Sequence, residues 1–213
     1  MAAQRGTGMD LRERRRRATL DEIAHAAVEL FEEQGVSATT VEQIAARAGV
    51  SSRTFFRYCR SKEHALIAGD DGPAFVVERT AAALREGASV LSALDSAWLT
   101  WLDELQSEAR YVFTLRVRRL VMAEPALLSA VLASDAARAD ALTAAVAREP
   151  VEHADPRAAR GAVVATAAIA QAALAEGARA AAHGETVRLG DVYVQMRRGL
   201  VAPAGLREAH PAG

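Results

Sequence analysis

The sequence predicts an all-α protein with a small N-terminal domain and a larger C-terminal domain. The chain has 213 residues, of which 51% are hydrophobic and only 5% aromatic, and alanine is abundant. Alanine is the best helix former, whereas aromatic residues are enriched in strands, so this composition favours helix over sheet. Apolar residues also recur at helical spacing along most of the chain, and we expect about nine helices in total.

The N-terminal segment of the chain lacks apolar periodicity. This segment ends in a basic run, Arg12-Glu13-Arg14 to Arg17. We expect residues 1–18 to form a flexible basic arm. Such a run is either a solvated charged surface or an arm that contacts phosphates or a minor groove. Residues 1–62 carry 11 Lys+Arg against 8 Asp+Glu, and residues 63–213 carry 15 against 19. A mildly basic N-terminal part and an acidic C-terminal part are typical of a protein with one domain that faces nucleic acid and one that does not.

The first predicted helix runs from Thr19 to Gln34, and Gly35 ends it. Its apolar residues recur every three or four positions and form one stripe that would face a core. The members of this stripe are Leu20, Ile23, Ala24, Ala27, Leu30 and Phe31.

The next stretch, TTVEQIAARAGVSSRTFFRYCRSK from Thr39 to Lys62, predicts two short helices joined by a tight turn. Thr40 and Gln43 have the spacing of a capping box. Gly49 ends the first helix, because glycine accepts the left-handed conformation, and Ser51 or Ser52 can cap the second. In the second helix we expect Phe55 and Cys59 to point inwards and the polar residues to point outwards. A short helix with this division suits insertion into a major groove.

A fourth helix is expected to begin at the cap residue Ser61 and to continue to about Glu86, with a break at Gly69-Asp-Asp-Gly-Pro73. Capping residues, Pro positions and apolar stripes predict five more helices. Their expected spans are 89–107, 109–123, 125–149, 156–183 and 189–200. Residues 204–213 should form a flexible tail.

The segment from about Thr19 to Leu66 resembles the N-terminal domain of the TetR family of bacterial transcriptional regulators. The resemblance is carried by ELFEEQGVSATTVEQIAARAGVSSRTFFRYCRSKEHAL. It implies that residues 19–66 form a three-helix helix-turn-helix DNA-binding domain and that residues 67–203 form a ligand-binding and dimerisation domain. It also implies a homodimeric repressor that leaves a palindromic DNA operator when a small-molecule inducer binds.

Nine residues are candidates for DNA contact. Arg53 is the best base reader, since a guanidinium can bond two acceptors of guanine, and Ser52, Thr54 and Phe56 are secondary. The family pattern matches Thr40, Tyr58 and Lys62 to phosphate contacts. Ser51 and Arg57 complete the set. Two departures are Phe56, where the family often has tyrosine, and Cys59, where it usually has phenylalanine.

In the C-terminal domain the resemblance places a ligand pocket among the middle helices and dimerisation on the last two helices. Gly161, Ala165, Ala168 and Ala172 line one side of the long helix, where small residues would let two helices approach closely. Aromatic stripes are also typical of plain core, so the pocket candidates could be either. They are Trp98, Trp101, Tyr111, Phe113, Arg116, Arg119 and Met122.

Other classes find less support. The single cysteine, Cys59, excludes an internal disulfide framework and a Cys-rich zinc site. We find no phosphate-binding glycine loop, metalloprotease motif or nucleophile elbow, so we expect no enzyme, no cofactor and no catalytic residue. The longest uncharged run, Gly161 to Ala175, is short for a membrane span, and we expect a cytoplasmic protein. A helical protein-interaction module that has lost DNA binding remains the alternative.

Overall fold

The computed structural model describes residues 11–70, 72–107, 110–149 and 155–201. Within these ranges the chain forms ten α-helices and no strand, which confirms the predicted fold class. The helices are α1 (Leu11–Gln34), α2 (Val41–Arg47), α3 (Ser52–Tyr58), α4 (Lys62–Ala65), α5 (Gly72–Arg85), α6 (Val90–Ser107), α7 (Arg110–Ala123), α8 (Pro125–Val146), α9 (Pro156–Ala182) and α10 (Leu189–Val201).

The helices group into two compact units. The first comprises Met1–Asp70 and Ala123–Val131, and the second comprises Asp71–Met122 and Leu132–Gly213. The chain therefore passes between the units three times: just before α5, at the end of α7 and within α8.

In the first unit α1 supplies the apolar face on which the short helices pack. Ile23, Ala27 and Phe31 are buried on α1, Ile44 is buried on α2 and Phe55 on α3. The helix begins at Leu11, whereas the sequence predicted Thr19. The arginine run is helical because arginine is a good helix former and because Glu13 pairs with Arg16 and Arg17 one turn later. Residues 11–18 of the predicted flexible arm are therefore helical, and residues 1–10 lie outside the described residues.

The predicted break after α4 is present and splits one expected helix into two. α4 ends at Ala65, and α5 begins at Gly72. Within the second unit Gly72 lies against the indole of Trp101, where an added Cβ would sit only 2.5 Å from the ring carbon Cε2. Only glycine fits this close approach of backbone to ring.

The core of the second unit is formed mainly by α5, α6, α9 and α10. Its most completely buried members include Leu94, Leu102, Val163, Leu174 and Tyr193. Gln106, at the end of α6, also holds the start of α10. Its side chain donates to the Val187 carbonyl at 2.6 Å and accepts from the Leu189 amide at 3.0 Å.

α9 is long and apolar enough to cross a membrane by length and composition, which the uncharged run Gly161 to Ala175 did not predict. Its buried residues, including Val163, Ile169 and Leu174, belong to the core of the second unit. A central helix of a helical domain has the same composition, so the packing accounts for its apolar character.

Candidate nucleic-acid interface

The corner between α1 and α2 is held by side-chain hydrogen bonds. Thr40 is the N-cap of α2, and the predicted capping box is present. The Gln43 amide donates to the Thr40 hydroxyl at 3.2 Å, and the Thr40 amide donates to Gln43 Oε1 at 2.8 Å. Gln34 on α1 donates to the same Gln43 oxygen at 3.0 Å and to the Thr39 hydroxyl at 3.2 Å. The start of α2 is therefore tied to the end of α1.

An ion pair fixes the other end of α2 to α1. The two terminal nitrogens of Arg47 each lie 2.9 Å from an oxygen of Glu33, and one lies 3.3 Å from Glu29. The side-chain hydrogen bond from Arg47 is the main reason why the pKa of the Glu33 carboxyl lies below its ordinary value. Two parallel N–H···O bonds define orientation as well as distance, so this pair sets the rotation of α2 about α1.

The turn between α2 and α3 has the predicted geometry. Gly49 has a φ of +66°, a conformation that side chains with a Cβ avoid. The Val50 amide donates to the Ala45 carbonyl at 2.9 Å, which closes the turn. Ser51 is the N-cap of α3, and its hydroxyl accepts from the Thr54 amide at 3.1 Å. The turn thus delivers α3 at a fixed angle to α2.

α3 has one anchored face and one exposed face, as the sequence predicted. Phe55 and Cys59 are fully buried, and burial raises the pKa of the Cys59 thiol to about 11. Arg53 and Arg57 are exposed, and Phe56 is 58% exposed although it is a large apolar side chain. The exposed face of α3 thus presents guanidinium donors beside an apolar ring, the groups that can bond to a base edge and contact a thymine methyl.

The remaining predicted contacts lie around this face. Ser52 and Thr54 are half-buried on α3, and Ser51 and Thr40 are exposed at the two caps. Arg57 donates to the Tyr58 hydroxyl at 2.9 Å, and its guanidinium carbon lies 4.6 Å from the centre of the Tyr58 ring. Arg57 and Tyr58 therefore act as one positioned pair at the end of α3.

Lys62 is half-buried, and its ammonium contacts backbone. It donates to the Val36 carbonyl at 2.6 Å and to the Thr39 carbonyl at 2.8 Å. These residues precede it by more than twenty positions, and no sequence pattern connects them. Two of its three N–H donors are therefore used inside the domain.

The seven ligand candidates of the second unit do not share one environment. Trp98 and Trp101 are 7% and 8% exposed, with ring centres 5.6 Å apart. The indole N–H groups of both are buried and have no hydrogen-bond partner among the described residues, and such unpaired donors are rare in folded proteins. Tyr111, Phe113 and Arg116 are half-buried. Arg119 and Met122 are exposed.

A groove of about 710 Å³ follows the outer face of α6 and contains none of these candidates. Its lining is hydroxyl-rich and acidic, with Ser92, Ser96, Thr100, Asp95 and Asp103 among the contributors. The tryptophans of the same helix face the core instead. On α9 the predicted small-residue stripe is exposed at Gly161, Ala165 and Ala168, and Ala172 is half-buried.

Comparison with known proteins agrees with the geometry of the first unit. Residues 19–68 match the family model described as bacterial regulatory proteins, tetR family. Over 60 residues the chain is 48% identical to the HTH-type transcriptional regulator TcmR of Streptomyces glaucescens. That match covers 28% of this chain and 26% of TcmR, so the chain matches about a quarter of the length of this curated relative.

Two solved structures share the fold over most of the chain. One is FadR of Thermus thermophilus, a TetR-family transcriptional repressor solved in complex with lauroyl-CoA. Its TM-score is 0.51 at 23% identity, and the match covers 91% of this chain and all of that one. The other is the fatty acid degradation regulator FadR of Bacillus halodurans, with a TM-score of 0.50 at 18% identity, covering 89% of this chain and 96% of that one.

Proposed function

We propose that the chain, whose residues 19–68 match the model of the tetR family of bacterial regulatory proteins, is a ligand-responsive transcriptional repressor of that family. In this proposal a homodimer binds a nearly palindromic operator and leaves it when a small molecule binds the second unit. It acts in the cytoplasm on double-stranded DNA, and no catalytic residue takes part.

The observation that carries the proposal is the exposed face of α3. Phe55 and Cys59 are fully buried beneath the helix, so the helix cannot turn its outer residues inwards without losing its anchor. On the outer face Arg53 would donate two hydrogen bonds to the major-groove edge of guanine, and Phe56 would contact the methyl group of thymine. Burial of Phe56 against DNA would remove an apolar ring from water.

Phosphate contacts would hold this helix in register. The hydroxyl of Thr40 and the Arg57–Tyr58 pair lie at opposite ends of the two-helix motif, where they would contact backbone on either side of the groove. Ser51, Ser52 and Thr54 would add shorter polar contacts. Phosphate contacts carry no sequence information, so specificity would rest on Arg53 first and on Phe56, Ser52 and Thr54 as secondary base contacts.

Dimerisation would use the last two helices. Gly161, Ala165 and Ala168 form an exposed stripe of small residues on α9, and Val164 beside them is 47% exposed. A second copy packed on this stripe would bury it and would set two α3 helices about one DNA turn apart. The palindromic form of the operator follows from the two-fold symmetry of such a dimer.

The inducer would bind among the middle helices. Trp98 and Trp101 offer two buried indole donors that no described residue pairs with, and a bound molecule with an acceptor group would satisfy them. Lauroyl-CoA is a reasonable first probe, because FadR of Thermus thermophilus is described in complex with it. The proposal predicts that an effective inducer releases the labelled operator and loses this effect when Trp98 is replaced by phenylalanine.

The decisive experiment uses a duplex that the wild-type protein enriches from a random-sequence pool, with a scrambled duplex of equal length beside it. Arg53→Ala should weaken binding to the enriched duplex by about 1–3 kcal/mol, roughly 5- to 150-fold, at fixed salt. Binding to the scrambled duplex should change much less. Arg148→Ala, which removes an exposed positive charge from the second unit, is the control and should leave both affinities unchanged.

Two outcomes would contradict the proposal. If the wild-type protein enriches no duplex, the helical protein-interaction module becomes the better reading. If Arg53→Ala weakens both duplexes equally, Arg53 contacts phosphate and some other residue reads the bases.

A further inference from the structure

The ammonium of Lys62 lies in the corner between α1 and α2, the segment from Gly35 to Thr40. Its two hydrogen bonds are short, 2.6 Å to the Val36 carbonyl and 2.8 Å to the Thr39 carbonyl. Val36 and Thr39 are both buried. A hydrogen bond from an ionised donor is stronger than one between neutral groups, so these two bonds hold the corner firmly.

The corner has no regular structure of its own to define its backbone. Thr39 contributes a buried hydroxyl, which donates to the Gly35 carbonyl at 2.8 Å and accepts from Gln34. The Thr39 amide donates to Val36 at 3.3 Å. Lys62, on the separate helix α4, therefore donates to the same two residues, Val36 and Thr39, whose own backbone hydrogen bond closes the corner.

The peptide unit between Thr39 and Thr40 receives a bond on each side. Its carbonyl oxygen, from Thr39, accepts from Lys62, and its N–H, from Thr40, donates to Gln43 at 2.8 Å. A peptide unit is planar, so fixing both polar groups fixes its orientation. Val41, the first residue of α2, follows this peptide unit directly, so its orientation bears on how α2 begins and, through the Gly49 turn, on the direction of α3.

We infer that Lys62 is a positioning residue for the DNA-reading helices and is not one of the phosphate contacts. The inference rests on the proposed function, because it concerns how the reading helices are held. It differs from the role that the family pattern assigns to Lys62. Two of the three ammonium donors are already used within the domain, so a phosphate at this position would have only the third.

The first test needs no DNA. In Lys62→Met the aliphatic stem is kept while the donors and the charge are removed. The Thr40 amide should then shift in proton–nitrogen spectra of the free protein and should exchange with solvent at least about tenfold faster, because its peptide unit has lost one of two restraints. Arg60→Met removes an exposed charge two residues away and should leave that amide unchanged. An unchanged Thr40 amide in Lys62→Met would overturn the inference, whether or not the wild-type protein binds DNA.

The second test measures affinity against salt, with the enriched and the scrambled duplex and with thermal melting to establish that each variant is folded. A positioning residue predicts that Lys62→Met loses about tenfold in affinity for the enriched duplex and less for the scrambled one. The slope of log affinity against log salt should stay unchanged. A lost phosphate contact would reduce that slope by about 0.9 and would weaken both duplexes alike.

A purely structural role would lower the melting temperature and leave the affinity of the folded protein unchanged. Either that result or the reduced salt slope would overturn the inference. Arg60→Met serves as the control for the general effect of one positive charge. It should leave the preference for the enriched duplex at its wild-type value.

Discussion

The hydroxyl of Tyr193 on α10 donates a hydrogen bond of 2.7 Å to a carboxylate oxygen of Asp95 on α6. Arg197, one turn further along α10, lies 3.4 Å from the same oxygen. Tyr193 is almost fully buried, and burial is the largest cause that raises its pKa, followed by the hydrogen bond to Asp95 and the charge of that carboxylate. The tyrosine therefore stays neutral and ties α10 to α6.

Replacing Tyr193 by phenylalanine should lower the free energy of unfolding by about 1 kcal/mol, because the ring is kept while one hydrogen bond to Asp95 is lost. Arg197 remains beside the carboxylate and limits the cost. Urea denaturation measures the effect. Tyr58→Phe, which removes a hydroxyl that accepts a hydrogen bond from the exposed Arg57 within the described part of the chain, is the control and should cost less than about 0.5 kcal/mol. Equal stability of the two variants would mean that the buried Tyr193–Asp95 bond contributes no more than the exposed Arg57–Tyr58 bond.

The raised pKa of Tyr193 also predicts a loss of stability in alkali. The folded state holds the phenolic proton more tightly than the unfolded chain, whose tyrosines ionise near pH 10. Stability from this group is therefore complete below about pH 10 and falls as pH rises above it. The free energy of unfolding of Tyr193→Phe should fall less steeply than that of the wild type between about pH 9 and 11. Parallel curves would refute the assigned shift.

A methyl group at Gly72 should destabilise the second unit. The added carbon would lie 2.5 Å from the Trp101 ring, which packs within the core and cannot move aside freely. We expect Gly72→Ala to cost about 1–3 kcal/mol, the usual range for overpacking. For Gly199→Ala on α10, no atom of the described residues lies within 4 Å of the new carbon, and the change should stabilise the protein by roughly 0.5–1 kcal/mol. Thermal melting of the pair measures both, and a stable Gly72→Ala would show that Trp101 can shift.

The proposed dimer predicts that the same substitution at two exposed alanines of the second unit has different effects on dimerisation. Ala168→Arg places a charged side chain in the small-residue stripe of α9 and should convert the dimer to monomer. Its affinity for the enriched duplex should fall by at least about 100-fold, since one half-site remains. Ala133→Arg on α8 is the control and should remain dimeric. Sedimentation velocity measures both, and an intact dimer of Ala168→Arg would place the interface elsewhere.

The parts of the fold that could be predicted from the sequence are those that local chemistry determines. The capping box of Thr40 and Gln43, the glycine turn at Gly49 and the burial of Phe55 follow from spacing and from the preferences of single residues. The start of α1 at Leu11 could not be placed, because an arginine run has neither an apolar stripe nor a cap to mark a boundary.

The contacts that could not be predicted join residues far apart in the chain. The ammonium of Lys62 contacts backbone carbonyls more than twenty residues upstream. Every residue has a backbone carbonyl, so the sequence does not indicate which ones a lysine will contact. The approach of Gly72 to Trp101 is similar, since the sequence suggests a loop at Gly72 and gives no reason to pair it with a ring on another helix. Such pairings depend on how helices pack, which spacing alone does not define.

Both tryptophans of the chain lie on α6, with their rings in edge-to-face contact inside the second unit. Tryptophan fluorescence, excited at the red edge of the absorption band, therefore reports the unfolding of the second unit and not that of the first. Circular dichroism at far-ultraviolet wavelengths reports the helices of both units. Melting curves recorded by the two signals on one sample would coincide if the units unfold together and would separate if each unfolds alone.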